Sequence, residues 1–191
     1  MNPKDAIGAS KPTLSALPLT TLLRCGVSTS DIHPGTLYML GAGMYEGARK
    51  YGRHNYRAVE VCTSVYYDAA MRHLSAIPGG EEIDPDSGLP HLIKAATSLL
   101  VIADALHVGN AIDNRPPIMM TPGVAALRNI RDRLAMWWDG VEGAELHEVI
   151  GALVRLADST ITHGGDWMYL ATCRHKAIVA KYPDPKPEYT R

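Results

Sequence analysis

Apolar residues in this chain recur at helical spacing, and glycine and proline break the pattern into segments. The clearest run spans 60 to 77, where Val61, Val65, Ala69 and Leu74 fall roughly on one face. Pro78-Gly79-Gly80 stops it, because proline cannot continue a helix and glycine readily takes the left-handed turn that ends one. A second helix is expected after Asp86 or Ser87, either of which can cap it, with Pro90 near its first turn. That helix runs to about Val108 and ends at Gly109-Asn110. Upstream, Thr36 to Tyr51 reads as a helix carrying Gly41, Gly43 and Gly47, which weaken it but let a neighbour approach closely. A short helix is expected near Leu19 to Cys25, and further helices over 124–138, 143–158 and 164–181. No stretch alternates as a strand does, and nothing repeats. The expected class is therefore all-α, a helical bundle with an extended Pro/Gly-rich N-terminal arm.

The same breaks suggest an organisation. Residues 1–35 form the arm, 36–123 a helical core, 124–182 C-terminal helices packed on that core, and 183–191 a loose tail. Within the core, 113–123 (DNRPPIMMTPG) reads as a loop.

Composition narrows the function classes. Hydrophobic residues make up 46% and charged residues 20%, enough apolar side chain for a sizeable core. The formal net charge of −1 gives no field to draw the chain to bulk nucleic acid or an acidic membrane. The longest apolar run, SLLVIADAL, is far short of the roughly 18 residues a membrane span needs, and the N-terminal MNPKDAIGASKP has no apolar signal core. Cys25, Cys62 and Cys173 are odd in number and widely spaced, which speaks against a disulfide framework or a cysteine zinc site. A reducing, cytoplasmic setting is expected.

Candidate chemistry concentrates in two places. Between the two clearest helices lies HLSAIPGGEEIDPDSGLPH, residues 73–91. If these helices form an antiparallel hairpin, His73, Glu81, Asp84 and His91 converge. Carboxylates with imidazoles suit a divalent ion such as Mg²⁺, Mn²⁺ or Zn²⁺. The competing reading is a solvated acidic loop that only caps a helix. An EF-hand is excluded, since a loop opening at Asp84 lacks Gly at its sixth position and Glu at its twelfth. The second place is GARKYGRHNYR, residues 47–57. Arg49, Lys50, Arg53 and Arg57 bring charge, Tyr51 and Tyr56 bring flat rings, and Asn55 offers a paired donor and acceptor for a base edge. A basic helix end that complements the helix dipole is the plainer alternative.

Three further residues or groups have two readings each. Arg72 is either a surface partner of Asp68 or a phosphate clamp. Asp104 is either a supporting acid of the site or a half-exposed helical aspartate. Glu145, His147 and Glu148 read as a helix face, because Gly151 stands where a zincin motif needs its second histidine. No P-loop, dinucleotide-binding fingerprint or nucleophile elbow is present.

Four ordered blocks carry a resemblance: NPKDAIGASKPTLSALPLTTL, GARKYGRHNYR, YYDAAMRHLSAIPGGEEIDPDSGLPHL and GNAIDNRPP. Together, over about residues 2–123, they resemble the phage-associated family described as the N-terminal domain of dATP/dGTP diphosphohydrolase. The resemblance implies a link to deoxynucleotide pyrophosphohydrolysis of the all-α, MazG-like kind. In that kind, acids of a helical bundle hold Mg²⁺ and a nucleoside triphosphate yields monophosphate and pyrophosphate. Recurrent polar residues of the family fall here on Lys50, Tyr51, Asn55, Arg72, His73, Glu81, Asp84, Ser87, Gly88 and His91. Two departures stand out: Tyr56 occupies a usual tryptophan position, and the MazG helix signature E-E-x-x-E is absent.

Taken together, the expectation is a metal-dependent hydrolase of dGTP or dATP using Mg²⁺ or Mn²⁺. Glu81, Asp84, Arg72 and Lys50 would be catalytic, His73, Glu81, Asp84 and His91 metal ligands, and Arg53, Tyr51, Asn55 and Tyr56 substrate contacts. A homo-oligomer, dimer or tetramer, goes with the MazG-like relation. The alternatives are a non-catalytic nucleotide-binding or sequestering protein, or a structural phage protein.

Overall fold

A computed structural model describes residues 14–115, 130–141, 143–161 and 167–182. The first thirteen residues of the expected arm, most of the 113–123 loop and the 183–191 tail lie outside the described residues. Among the described residues the architecture is an all-α bundle with one two-stranded sheet. In chain order come α1 (Leu19–Arg24), α2 (Pro34–Tyr51), a 3₁₀ turn (Asn55–Arg57), β1 (Val61–Cys62) and α3 (Thr63–Ala76). A second 3₁₀ turn (Ile77–Gly79) is followed by α4 (His91–His107), β2 (Ala111–Ile112), α5 (Ile130–Trp138), α6 (Leu146–Ile161) and α7 (Trp167–Lys181). No described helix is long and apolar enough to cross a membrane.

Helix α4 is the axis of the bundle. Ile93, Ala95, Ala96, Leu99, Leu100, Ile102 and Ala105 are all fully buried, as expected of a helix apolar around its whole circumference. α2, α3 and α6 pack around it. α2 crosses closely at Gly43, where a Cβ would lie 2.8 Å from Thr97 Cγ2, so glycine there sets the interhelical spacing. One core cluster draws on residues from Ala16 to Ile178. The short helix expected near Leu19 is present. Around it the N-terminal segment is packed rather than loose, with Ala16, Leu17, Leu22, Cys25, Val27 and Ile32 buried.

α3 and α4 form the expected hairpin. Its closed end brings His73 to His91, and its open end pairs Val61 with Ala111 and Cys62 with Ile112. These two strands are parallel because two helices return the chain to its starting end. The expected all-helical reading of 60–77 is corrected here: Val61 and Cys62 belong to β1. Val65 is 60% exposed, and the buried positions of α3 are Thr63, Ala70 and Leu74. Asn114 caps α3 from across the strand pair, its Oδ1 accepting from Thr63 Oγ1 at 2.9 Å and Ser64 N at 3.0 Å.

The start of α4 also differs from expectation. Pro90 is its N-cap, and neither Asp86 nor Ser87 caps it. Ser87 instead donates its amide (3.1 Å) and hydroxyl (2.5 Å) to Asp84 Oδ2. Gly88, at φ +66°, turns the chain back so that Asp84 N donates to Leu89 O at 2.9 Å and His91 N to Glu82 O at 2.9 Å. The acidic segment is thus a self-bonded turn, not an open loop.

Candidate functional site

α2, α3, α4 and the Asn55–Arg57 turn enclose a pocket of about 330 Å³, of the size that small-molecule ligands occupy. Its walls include Glu46, Lys50, Tyr51, Asn55, Tyr56, Tyr66, Arg72, His73, Asp84 and Lys94. Both segments singled out in the sequence therefore meet on one cavity.

Two of these wall residues, His73 and Asp84, meet His91, and ligand atoms of the three all lie within 4.8 Å of one another. The elements explain this. His73 is in the last turn of α3, His91 opens α4, and Asp84 is held between them by Ser87. His73 Nδ1 lies 2.8 Å from His91 Nδ1. Burial, then the positive charge of Lys94, pushes His73 down to about 4, although Asp84 opposes the shift. His73 is consequently neutral at pH 7. Asp84 is held below the usual carboxylate range. Burial alone would raise it, but the two Ser87 hydrogen bonds, with Lys94 and His73, outweigh that. His91 is 4% exposed, and its Nε2 has no hydrogen-bond partner among the described residues.

Glu81 falls outside this set. Its side chain is 51% exposed, and Oε1 lies 3.6 Å from His91 Nε2. It follows the left-handed Gly80 stop, which turns the chain away from the hairpin. Of the other expected contacts, Lys50, Tyr51, Asn55, Tyr56 and Arg72 line the pocket. Tyr56 is 4% exposed, with its hydroxyl 3.3 Å from His54 Nδ1, so it is a packed wall rather than a free stacking face. Arg53 points elsewhere and donates to Ser15 Oγ at 2.7 Å. Arg72 is exposed at the pocket rim and makes no ion pair with Asp68 among the described residues.

Three supporting features complete the site; sequence reasoning weighed Asp104 as a supporting acid and missed the other two. The first is Glu46, a carboxylate only 2% exposed, with Lys50 Nζ at 2.6 Å from Oε1 and Lys94 Nζ at 2.6 Å from Oε2. Lys50 approaches off the hydrogen-bonding direction, so that contact is an ion pair and Oε1 carries no directed bond. Burial alone would raise the Glu46 carboxyl, but the Lys94 and Lys50 charges hold it below the ordinary range. The i,i+4 spacing to Lys50 was legible in the sequence; the burial was not.

The second is Asp104, which is buried rather than half-exposed. It accepts from Thr21 Oγ1 at 2.5 Å and from Arg57 Nε at 2.5 Å and Nη2 at 3.0 Å. With Asn110 Nδ2 donating to Tyr56 O at 2.9 Å, it anchors the turn that presents Asn55 to the pocket. The third is α7, which grips the acidic turn from outside. Lys181 Nζ donates to Asp86 Oδ1 at 2.5 Å and to its carbonyl at 3.0 Å, and the Arg174 guanidinium lies against Gly88. Tyr45 stacks on His175 at 4.8 Å, tying α7 to α2. His147 and Glu148 lie in the first turn of α6 and Glu145 just before it, a correction to the expected helix face, and Glu148 pairs with Arg133.

A family model described as dATP/dGTP diphosphohydrolase, N-terminal, matches residues 1–115. No curated protein and no solved structure matches the chain. The matched segment contains every pocket-lining residue named above, and α5, α6 and α7 lie beyond it. With more than half of its length matched, the chain belongs to the dATP/dGTP diphosphohydrolase N-terminal family.

Proposed function

We propose that the chain hydrolyses a purine deoxynucleoside triphosphate to monophosphate and pyrophosphate in the pocket between α2, α3 and α4. One juxtaposition supports this most directly. His73 and Asp84 of the donor set and the cationic residues Lys50 and Arg72 line the same cavity, with His91 directly behind His73. Phosphoryl transfer needs positioning and neutralisation of charge on the phosphate oxygens more than covalent chemistry. Lys50 and Arg72 supply that charge. The Asn55 amide offers a donor and an acceptor to a purine edge, and Tyr51, 58% exposed at the rim, offers a ring face.

The donor set fits a divalent cation. His73 is neutral at pH 7, Asp84 is ionised, and His91 Nε2 is a buried nitrogen without a hydrogen-bond partner. Mixed nitrogen and oxygen donors suit Mn²⁺ better than Mg²⁺, which prefers oxygen ligands. When bound, such a cation supplies Lewis acidity toward a phosphoryl oxygen. Ser87 holds Asp84 Oδ2 and leaves Oδ1 to accept a hydrogen bond or a proton at the pocket edge.

The test is turnover. Purified protein with Mn²⁺ or Mg²⁺ is incubated with each dNTP and NTP, and products are separated by anion exchange. The expected products are dAMP or dGMP with pyrophosphate. No turnover of any nucleotide with either metal refutes the proposal.

A second reading is favoured by one observation. The two Nδ1 atoms of His73 and His91 bond to each other rather than converging on a common point. That arrangement suits metal-free nucleotide binding without hydrolysis. Thermal stabilisation by dATP or dGTP that is independent of metal, without turnover, is its signature.

A further inference from the structure

Glu46 and Lys94 have no role in the reaction as described so far, yet both line the pocket. Burying a carboxylate is costly unless it is paired, and Glu46 is paired with two ammoniums, one on each oxygen. The Glu46–Lys50–Lys94 group carries a net charge of +1, facing the Asp84 and Asp86 carboxylates that also line the cavity. Lys50 has a second, looser partner in the exposed Asp86 carboxylate at 3.9 Å, and Lys94 has none among the described residues. Lys94 stands one helical turn after His91, and its side chain lines the pocket together with His73. Its side chain is only 16% exposed, which keeps water screening low and strengthens its pull on an anion. The neighbouring hydroxyls of Thr97 and Ser98 do not compete for that anion, because each donates to Lys94 O at 3.0 Å.

We propose that Lys94 and Lys50, held in place on the two oxygens of Glu46, form a polyphosphate-binding subsite, with Lys94 contacting the phosphate oxygens. This deepens the reading of the pocket as a triphosphate site and names a substrate-binding residue outside the acidic turn and the basic segment. The anion is a linear di- or triphosphate, either free or as the tail of a nucleotide.

The experiment is calorimetric titration of the whole chain with inorganic triphosphate in excess chelator, so that no divalent ion contributes. Deoxyadenosine and dATP are titrated in parallel to separate phosphate from base recognition. The comparison variants are Lys94→Met and, as a charge-matched control, Arg133→Met, which removes an exposed partner of Glu148 away from the pocket. Loss of one charge-assisted contact is expected to weaken triphosphate binding about 10- to 100-fold in Lys94→Met and leave Arg133→Met unchanged. In the unmodified chain, triphosphate should also protect Lys94 from amine acetylation relative to the exposed Lys176, read by mass spectrometry; this readout needs no variant to fold.

Triphosphate binding unchanged in Lys94→Met, or no binding and no protection of Lys94 in the unmodified chain, overturns the subsite. Its failure is distinct from that of the hydrolase reading. Turnover of dATP or dGTP with the Lys94→Met KM unchanged removes only the subsite. Lys94-dependent triphosphate binding with no turnover of any nucleotide removes only the hydrolysis.

Discussion

His73 Nδ1 and His91 Nδ1 lie 2.8 Å apart, so one imidazole donates and the other accepts, and the pair holds a single proton between its facing nitrogens. A cation that takes the facing nitrogens breaks this hydrogen bond, and the shared proton moves to the far nitrogen of its own ring, so the imidazoles stay neutral. Binding of Mn²⁺ near pH 7 is therefore expected to release no proton from His73, and its affinity to fall as pH falls toward the His73 value of about 4. Titrations in two buffers of different ionisation enthalpy check this, since equal heats mean no proton release. His91→Ala is expected to abolish tight binding.

Glu46 gives a second, acid-side prediction. Its pKa is lowered on folding, the Lys94 and Lys50 charges outweighing burial. The stabilisation it contributes is fully present above its ordinary pKa near 4.5 and is lost as pH falls through the lower folded value. Glu46→Gln leaves two half-buried ammoniums sharing no carboxylate. It is expected to cost about 2–3 kcal/mol at pH 7, discounted because both lysines can reach water, and to flatten the acid limb of the stability curve. Denaturant unfolding at pH 7 and pH 4 reads both effects.

Gly88 tests how firmly the acidic turn is built. Its φ of +66° disfavours any side chain, and a Cβ there would lie 2.3 Å from Arg174 Nη1. Gly88→Ala is expected to cost about 1–2 kcal/mol from backbone strain, or roughly 2–4 °C of Tm per kcal/mol, plus the displacement of Arg174. Adding Arg174→Ala should remove the steric part and leave the strain. A double-mutant cycle on Tm separates the two.

These residues also show what the sequence could tell. The stop at Pro78-Gly79-Gly80 and the end of α4 before Gly109 were legible because each depends on a local conformational preference. The meeting of His73 with His91 followed from a short connection between two helices. The β1–β2 pair was not legible: two residues are too few to show alternation, and Val61 finds Ala111 only after the hairpin has folded. Glu46 was passed over because a lone acid in a glycine-rich helix reads as surface, and its burial depends on Lys94, 48 positions on. Arg53 was taken for a substrate contact by charge alone, whereas its direction is set by Ser15, from the N-terminal segment. The grip of Lys181 on Asp86 spans 95 positions, and no local pattern foretells it.

The most direct measurement is product formation from dATP and dGTP with Mn²⁺ by the unmodified chain and by Asp84→Asn, which keeps the shape of the turn while removing its charge. Pyrophosphate and deoxynucleoside monophosphate are expected from the unmodified chain, with turnover lowered at least about 100-fold in the variant, the loss typical of a group that acts directly in the transition state. Equal turnover by the two proteins, or none by the unmodified chain, contradicts a hydrolytic site built on His73, Asp84 and His91.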